Sequence, residues 1–221
     1  MEFSPEVIQM IIKGIGETLY MVFTSSFISY LIGIPLGVFL VVSDKNGIHP
    51  MPMLNSIVGF IINFLRSVPF MILLIMVLPV TRALVGTTLG AKAVVPPLVF
   101  SAAPYIARMV ESSLKEVDSG VIEAAQSMGA NNMQIITKVL LPEAVPSLIT
   151  GATISVTTII GYSAMAGFVG GGGLGAIAIN YGYYRYETPM MIVTVILLVV
   201  IVQLIQLIGN KLNRLCDKRI R

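Results

Sequence analysis

Residues 188–210, TPMMIVTVILLVVIVQLIQLIGN, run for 23 positions without a charged side chain, between Glu187 and Lys211. About 20 apolar residues in a helix cross the hydrocarbon of a bilayer, so this run has the length and chemistry of a membrane span. Thr18 to Ser43 repeats the pattern for 26 uncharged residues, between Glu17 and Asp44. Ser56 to Pro79 is apolar except for Arg66, and Val94 to Val110 is apolar until Arg108. Ala144 to Tyr184 is uncharged for 41 residues, but its second half is rich in glycine and reads as turns. That leaves one further span, about 146–168. The expectation is an all-α membrane protein of five spans, approximately 18–43, 56–79, 94–110, 146–168 and 188–210.

Composition agrees. Of 221 residues, 56% are hydrophobic and 11% charged, where a soluble domain carries about 25% charged. A chain of this size has too little interior to hide so much apolar surface from water. The single cysteine, Cys216, permits no internal disulfide. Glu2 and Glu6 near the start do not fit the basic leader of a signal peptide. Ser4-Pro5 reads as a helix start, and Val7, Ile8, Ile11, Ile12 and Ile15 as an apolar stripe. A short interfacial helix ahead of the first span is expected.

Lysine and arginine set the orientation. Lys45, Arg108, Lys115, Lys138 and the tail cations Lys211, Arg214, Lys218, Arg219 and Arg221 fall on one side of a five-span chain. Lys13, Arg82, Lys92 and Arg185 fall on the other. The richer side is cytoplasmic, so the C-terminus is expected inside and the N-terminus outside. Five helices make a thin wall for a pathway, and a homodimer is expected.

The usual catalytic constellations have little to build on. His49 is the one histidine, in a loop without a nearby acid or cysteine cluster. Gly170, Gly172 and Gly175 satisfy G-x-G-x-x-G, but after a membrane span rather than between a strand and a helix. Gly86–Lys92 lacks the spacing of a phosphate loop. No catalytic residue, metal site or cofactor site is assigned to the chain. All eleven acidic residues lie outside the five apolar runs, whereas ion-driven carriers commonly keep an ionisable group at mid-membrane depth. Energy is expected to enter from a partner. An autonomous carrier or channel and a membrane assembly protein are the competing readings.

The longest polar stretch lies between spans three and four. Its sequence Glu123-Ala-Ala-Gln-Ser-Met-Gly129-Ala130-Asn131-Asn-Met-Gln134 continues to Val139-Leu-Leu141-Pro142. It reads as two short helices. Asp118 and Ser119 cap the first, Gly129 ends it in the left-handed region, and Asn131 with Gln134 forms a capping box for the second. Met133, Ile136 and Leu140 are expected on one face, and Pro142 and Pro146 to stop the helix and turn the chain into span four.

This stretch resembles the EAA signature of ABC importer permeases: Glu123-Ala124-Ala125, three residues, Gly129, nine residues, then Val139-x-Leu141-Pro142. Valine in place of isoleucine is its one departure. Gly14–Met21, Phe64–Phe70, Ala103–Glu111 and Gly161–Gly167 resemble the methionine-type permease subfamily, as does the five-span layout. The resemblance implies a type I ABC importer permease fold, with a cytoplasmic coupling helix at about 118–142 that seats in a cleft of an ATPase subunit. Glu123, Ala124, Ala125, Gly129, Ala130, Val139, Leu141 and Pro142 would carry that contact. It further implies two permease copies, two cytoplasmic ATPases that hold ATP and Mg, and an extracytoplasmic binding protein. The substrate would be methionine and related amino acids; another small solute is the alternative. The location would be the bacterial inner membrane.

Candidate pathway residues follow from chemistry. Arg66 is the charge inside a span, expected to face protein or water, and Pro69 should kink its helix. Tyr162, Ser163 and Met165 stand among small residues in span four, a stretch suited to a gate or to close helix packing. Gly33-Ile-Pro-Leu-Gly37 reads as a packing notch. The glycine run 170–175 and Tyr181, Tyr183, Tyr184 and Tyr186 read as a membrane-boundary loop, with a binding protein as a candidate contact.

Overall fold

The computed structural model describes residues 4–216, and Glu2, Asp217, Lys218, Arg219 and Arg221 lie outside the described residues. The described chain is helical: α1 Pro5–Val42, α2 Pro52–Ser67, α3 Phe70–Val85, α4 Ala91–Lys115, α5 Ser119–Ser127, α6 Asn132–Ile135, α7 Leu141–Glu143, α8 Val145–Met165, α9 Gly173–Ile177 and α10 Thr188–Cys216. A π-helical turn, Ile136–Leu140, joins α6 to α7; a second, Ala178–Tyr183, follows α9. Four helical stretches, beginning at Pro5, Ala91, Val145 and Thr188, are long and apolar enough to cross a membrane, and α2 with α3 makes five if that bent pair is one span.

The elements depart from expectation in instructive places. The short interfacial helix and the first span are one 38-residue helix, α1. Nothing between Ser4 and Ser43 breaks it: Pro35, exposed on its surface, removes one backbone N–H and the helix runs on through it. The expected span 56–79 is not one helix. It stops at Ser67 and restarts at Phe70, with Pro69 in extended geometry (φ −57°, ψ 135°) at the α3 cap. Proline disfavours helical geometry in the residue before it and donates no N–H, so a full break forms where a kink was expected. Span three lengthens to Ala91–Lys115. Glu17 and Glu111, placed outside the spans from sequence, therefore lie within α1 and α4.

Packing divides the described residues into two compact units. The first gathers 4–28, 68–102 and 156–206; the second gathers 29–67, 103–155 and 207–216. In the second, the expected notch on α1 is real. A Cβ on Gly33 would stand 2.6 Å from Ile106 Cγ2, and one on Gly37 would stand 2.6 Å from Val110 Cβ, so α1 and α4 approach through missing side chains. Leu40, Ile62 and Ala107 form a buried cluster beside Leu36 and Val58, joining α1, α2 and α4.

In the first unit the glycine run is a turn only as far as Gly172, and helix where a loop was expected from Gly173 on. Residues 173–179 are all buried, and α9 with its π turn forms a packed helical segment up to Tyr183. Gly172 and Gly173 have φ of +79° and +73°, a region open to glycine at little cost, which lets the chain reverse into α9. The Glu17 carboxylate accepts the Gly173 N–H at 2.8 Å, and the Thr18 hydroxyl accepts the Leu174 N–H at 2.9 Å. Two donors at the start of α9 are thereby satisfied, one of them by a charge at a helix N-terminus.

Candidate functional site

The segment between α4 and α8 is an elbow built by its caps. Asp118 accepts the Gly120 N–H at 2.7 Å and starts α5. At the other end Ala130 N–H reaches Ala125 O at 3.1 Å and Gly129 N–H reaches Gln126 O at 2.9 Å. That pair of bonds, with Gly129 at φ +81°, is a Schellman ending. The chain then turns directly into a reciprocal capping box. Asn131 Oδ1 accepts the Gln134 N–H and Gln134 Oε1 accepts the Asn131 N–H, both at 2.9 Å. The corner between α5 and α6 is thus closed on both sides by satisfied backbone groups.

Two local expectations fail here. Pro142 does not stop the helix. The π turn lets Leu141 N–H bond Ile136 O, five residues back, and Pro142 falls at the first turn of α7, where its missing donor costs nothing. Pro146 likewise sits in the first turn of α8. The buried face also differs from the expected one. Ile135 and Leu140 are buried and Ile136 is half-buried, while Met133 is 66% exposed and points away.

The candidate coupling residues divide by exposure. Glu123, Ala124, Gly129 and Pro142 are exposed, Ala130, Val139 and Leu141 are half-buried, and Ala125 is buried. Met128, beside Gly129, is 82% exposed. The elbow therefore offers a small, doubly capped tip flanked by one acidic and one large apolar side chain.

At its root lies a ladder of alternating charge. Arg108 pairs with Glu111 and donates to Gly59 O on α2 at 3.0 Å. Lys115 donates to Glu111 at 2.9 Å and pairs with Asp44, in the loop after α1, at 3.1 Å. The hydrogen bond from Lys115, then that from the Lys45 N–H, hold the Asp44 carboxyl below the usual carboxylate range. Asn55 Nδ2 donates to Leu40 O at 2.7 Å and to Ser43 Oγ at 2.9 Å, fastening α2 to the end of α1.

The pathway candidates lie in two places. Arg66 is exposed in the last turn of α2, one residue from its end, rather than in the middle of a span. A cation there meets the unpaired carbonyls of a helix C-terminus. Pro69 and Tyr162 come close through Phe70, whose ring stacks on Tyr162 at 4.5 Å between centroids and 7° between planes. Ser163 is buried and donates to Ile160 O at 2.8 Å, while Met165 is 44% exposed. Behind them α9 packs so closely that a Cβ on Gly175 would stand 2.5 Å from Ala164 Cα.

Sequence reasoning missed the Glu17–Thr18 cap and the charge ladder. The i,i+3 and i,i+4 spacing of Arg108, Glu111 and Lys115 was a usable signal for half of the ladder. Nothing local pointed to Asp44 or Gly59 as the other partners, or to residues 173 and 174 as partners of Glu17 and Thr18.

An all-helical membrane chain with four to five candidate spans and a projecting elbow has the architecture of a type I ABC importer permease. The chain belongs to the family described as binding-protein-dependent transport system inner membrane component, which matches residues 33–221. It is 48% identical over 210 residues to the probable D-methionine transport system permease protein MetI of Vibrio cholerae, covering 95% of this chain and 93% of that one. It is 45% identical over 216 residues to the protein of the same description from Pasteurella multocida, covering 98% and 100%. A chain of the MetNI methionine ABC transporter, solved in inward-facing conformations, superimposes with a TM-score of 0.96 at 46% identity, covering 98% of this chain and 100% of that one.

Proposed function

We propose that this chain is the membrane-spanning permease of an ATP-driven importer of methionine and related amino acids. Two copies would form the pathway, two cytoplasmic ATPases would hold ATP and Mg, and an extracytoplasmic binding protein would deliver the substrate. The observation that carries the reading is the elbow. Its doubly capped corner exposes Glu123, Ala124 and Gly129 and is continuous with α4 on one side and α8 on the other. A doubly capped corner joined to two long helices suits the transmission of a push from the cytoplasmic ATPases, and rigid-body rocking of the permease halves would follow their ATP-driven closure. The similarity to methionine permeases over nearly the whole chain supports the choice of substrate.

The N-terminus lies outside and the C-terminus in the cytoplasm in this reading. Lys45, Arg108, Lys115, Lys138, Lys211 and Arg214 among the described residues would fall on the side of the elbow, against Lys13, Arg82, Lys92 and Arg185 on the other. The richer group belongs inside. Reconstitution tests the function. Liposomes with the permease alone should take up no methionine, and adding the ATPase, the binding protein and ATP should start uptake. Gly129→Glu should abolish that uptake while leaving insertion and dimerisation intact. Uptake by the permease alone would overturn the reading.

A further inference from the structure

Three contacts in the second unit close a triangle. Asn55 ties α2 to the end of α1, Arg108 ties α4 to Gly59 on α2, and Lys115 ties α4 to Asp44 in the loop that follows α1. Glu111 sits between the two cations and serves both, so the charges alternate Arg108, Glu111, Lys115, Asp44 and sum to zero. The elbow grows from one corner of this triangle. Lys115 is the last residue of α4 and stands three positions before Asp118, which caps α5.

The tie at that corner is the sparse one. A cavity of about 430 Å³ lies between the loop after α1 and the root of the elbow, with Asp44, Lys115, Glu123 and Gln126 in its walls. Across this gap the Asp44–Lys115 pair is a direct bond. Both side chains are nearly half exposed, at 41% and 47%. An ion pair so exposed adds little to stability. It nonetheless spans the gap and links the loop to the elbow root at 3.1 Å.

We propose that Lys115 is a positioning residue for coupling. Held between Glu111 and Asp44, it locks the root of the elbow to α1, so that displacement of the elbow carries α1, α2 and α4 as one body. The proposal rests on the importer reading above.

The test uses the full complex in liposomes, permease with ATPase and binding protein, and measures methionine taken up per ATP hydrolysed. Lys115→Met should lower that ratio about fivefold or more while hydrolysis continues. Asp44→Asn should lower it part of the way, and Lys115→Arg should restore it. An unchanged ratio in Lys115→Met overturns the proposal, as does a Lys115→Arg ratio as low as that of Lys115→Met. Should Lys115→Met fail to assemble, Asp44→Asn decides alone. It keeps the Glu111 bond and removes only the exposed partner's charge, so an unchanged ratio there also overturns the proposal. Absence of uptake by the unsubstituted complex would instead sink the importer reading and this inference with it.

Discussion

Single atoms decide several outcomes here. Gly175 and Gly16 are both helical glycines with opposite surroundings. A Cβ on Gly175 would collide with Ala164, while one on Gly16 meets nothing within 4 Å. Gly175→Ala should therefore destabilise the purified protein by about 1–3 kcal/mol through overpacking. Gly16→Ala should be neutral or stabilising by up to about 1 kcal/mol through helix propensity. Thermal unfolding in one detergent compares the two, and an equal effect would contradict the packing account. Asp44 supplies a test in pH. Its carboxyl is held below the usual range, first by the Lys115 hydrogen bond. A depressed folded value means the stabilisation is fully present above the ordinary carboxylate range and is lost as pH falls through the depressed value. The difference in melting between the native chain and Asp44→Asn should be flat at neutral pH and vanish in that acidic window. For a half-exposed pair the flat part is about 0.2–1 kcal/mol.

At the scale of elements, the elbow shows what local chemistry specifies. Asn131 and Gln134, three apart, sufficed to predict a capping box that forms with both bonds at 2.9 Å. Gly129 sufficed to predict a left-handed ending. Asn131→Ala should cost about 1 kcal/mol of local stability, seen as faster hydrogen exchange at the Gln134 and Ile135 amides, with α4 and α8 unaffected. Equal exchange in both proteins would mean the corner is held by other contacts. The misses have two causes: a local change of helix register or a local break, and a partner far away in the chain. Pro142 reads as a stop only if the helix keeps its α register, and the π turn at Ile136–Leu140 releases that condition. The glycine run reads as a loop until Glu17 and Thr18, 156 positions earlier, satisfy the start of α9. Arg66 reads as a charge in mid-span until the break at Pro69 turns its position into a helix end.

For the whole molecule, hydropathy was the legible part, because in lipid every backbone polar group must be paired within the chain and helices are the simplest solution. Four apolar runs became long helices for that reason. Orientation is a separate question, carried by the placement of cations rather than by apolar length. The single cysteine makes it measurable. Cys216 is exposed at the end of α10, and α10 belongs with the elbow side in the proposed orientation. A membrane-impermeant maleimide should leave Cys216 unlabelled in intact cells and react with it once the membrane is opened. In a Cys216→Ser background, Met128→Cys at the exposed tip of the elbow should behave the same way. Thr87→Cys, exposed between α3 and α4, should label in intact cells. These three positions sample both sides independently, so a uniform inversion would reverse the charge-based orientation and place the elbow beyond the reach of a cytoplasmic ATPase. Labelling of Met128→Cys from outside, with Thr87→Cys protected, is the outcome that would remove the physical basis for coupling.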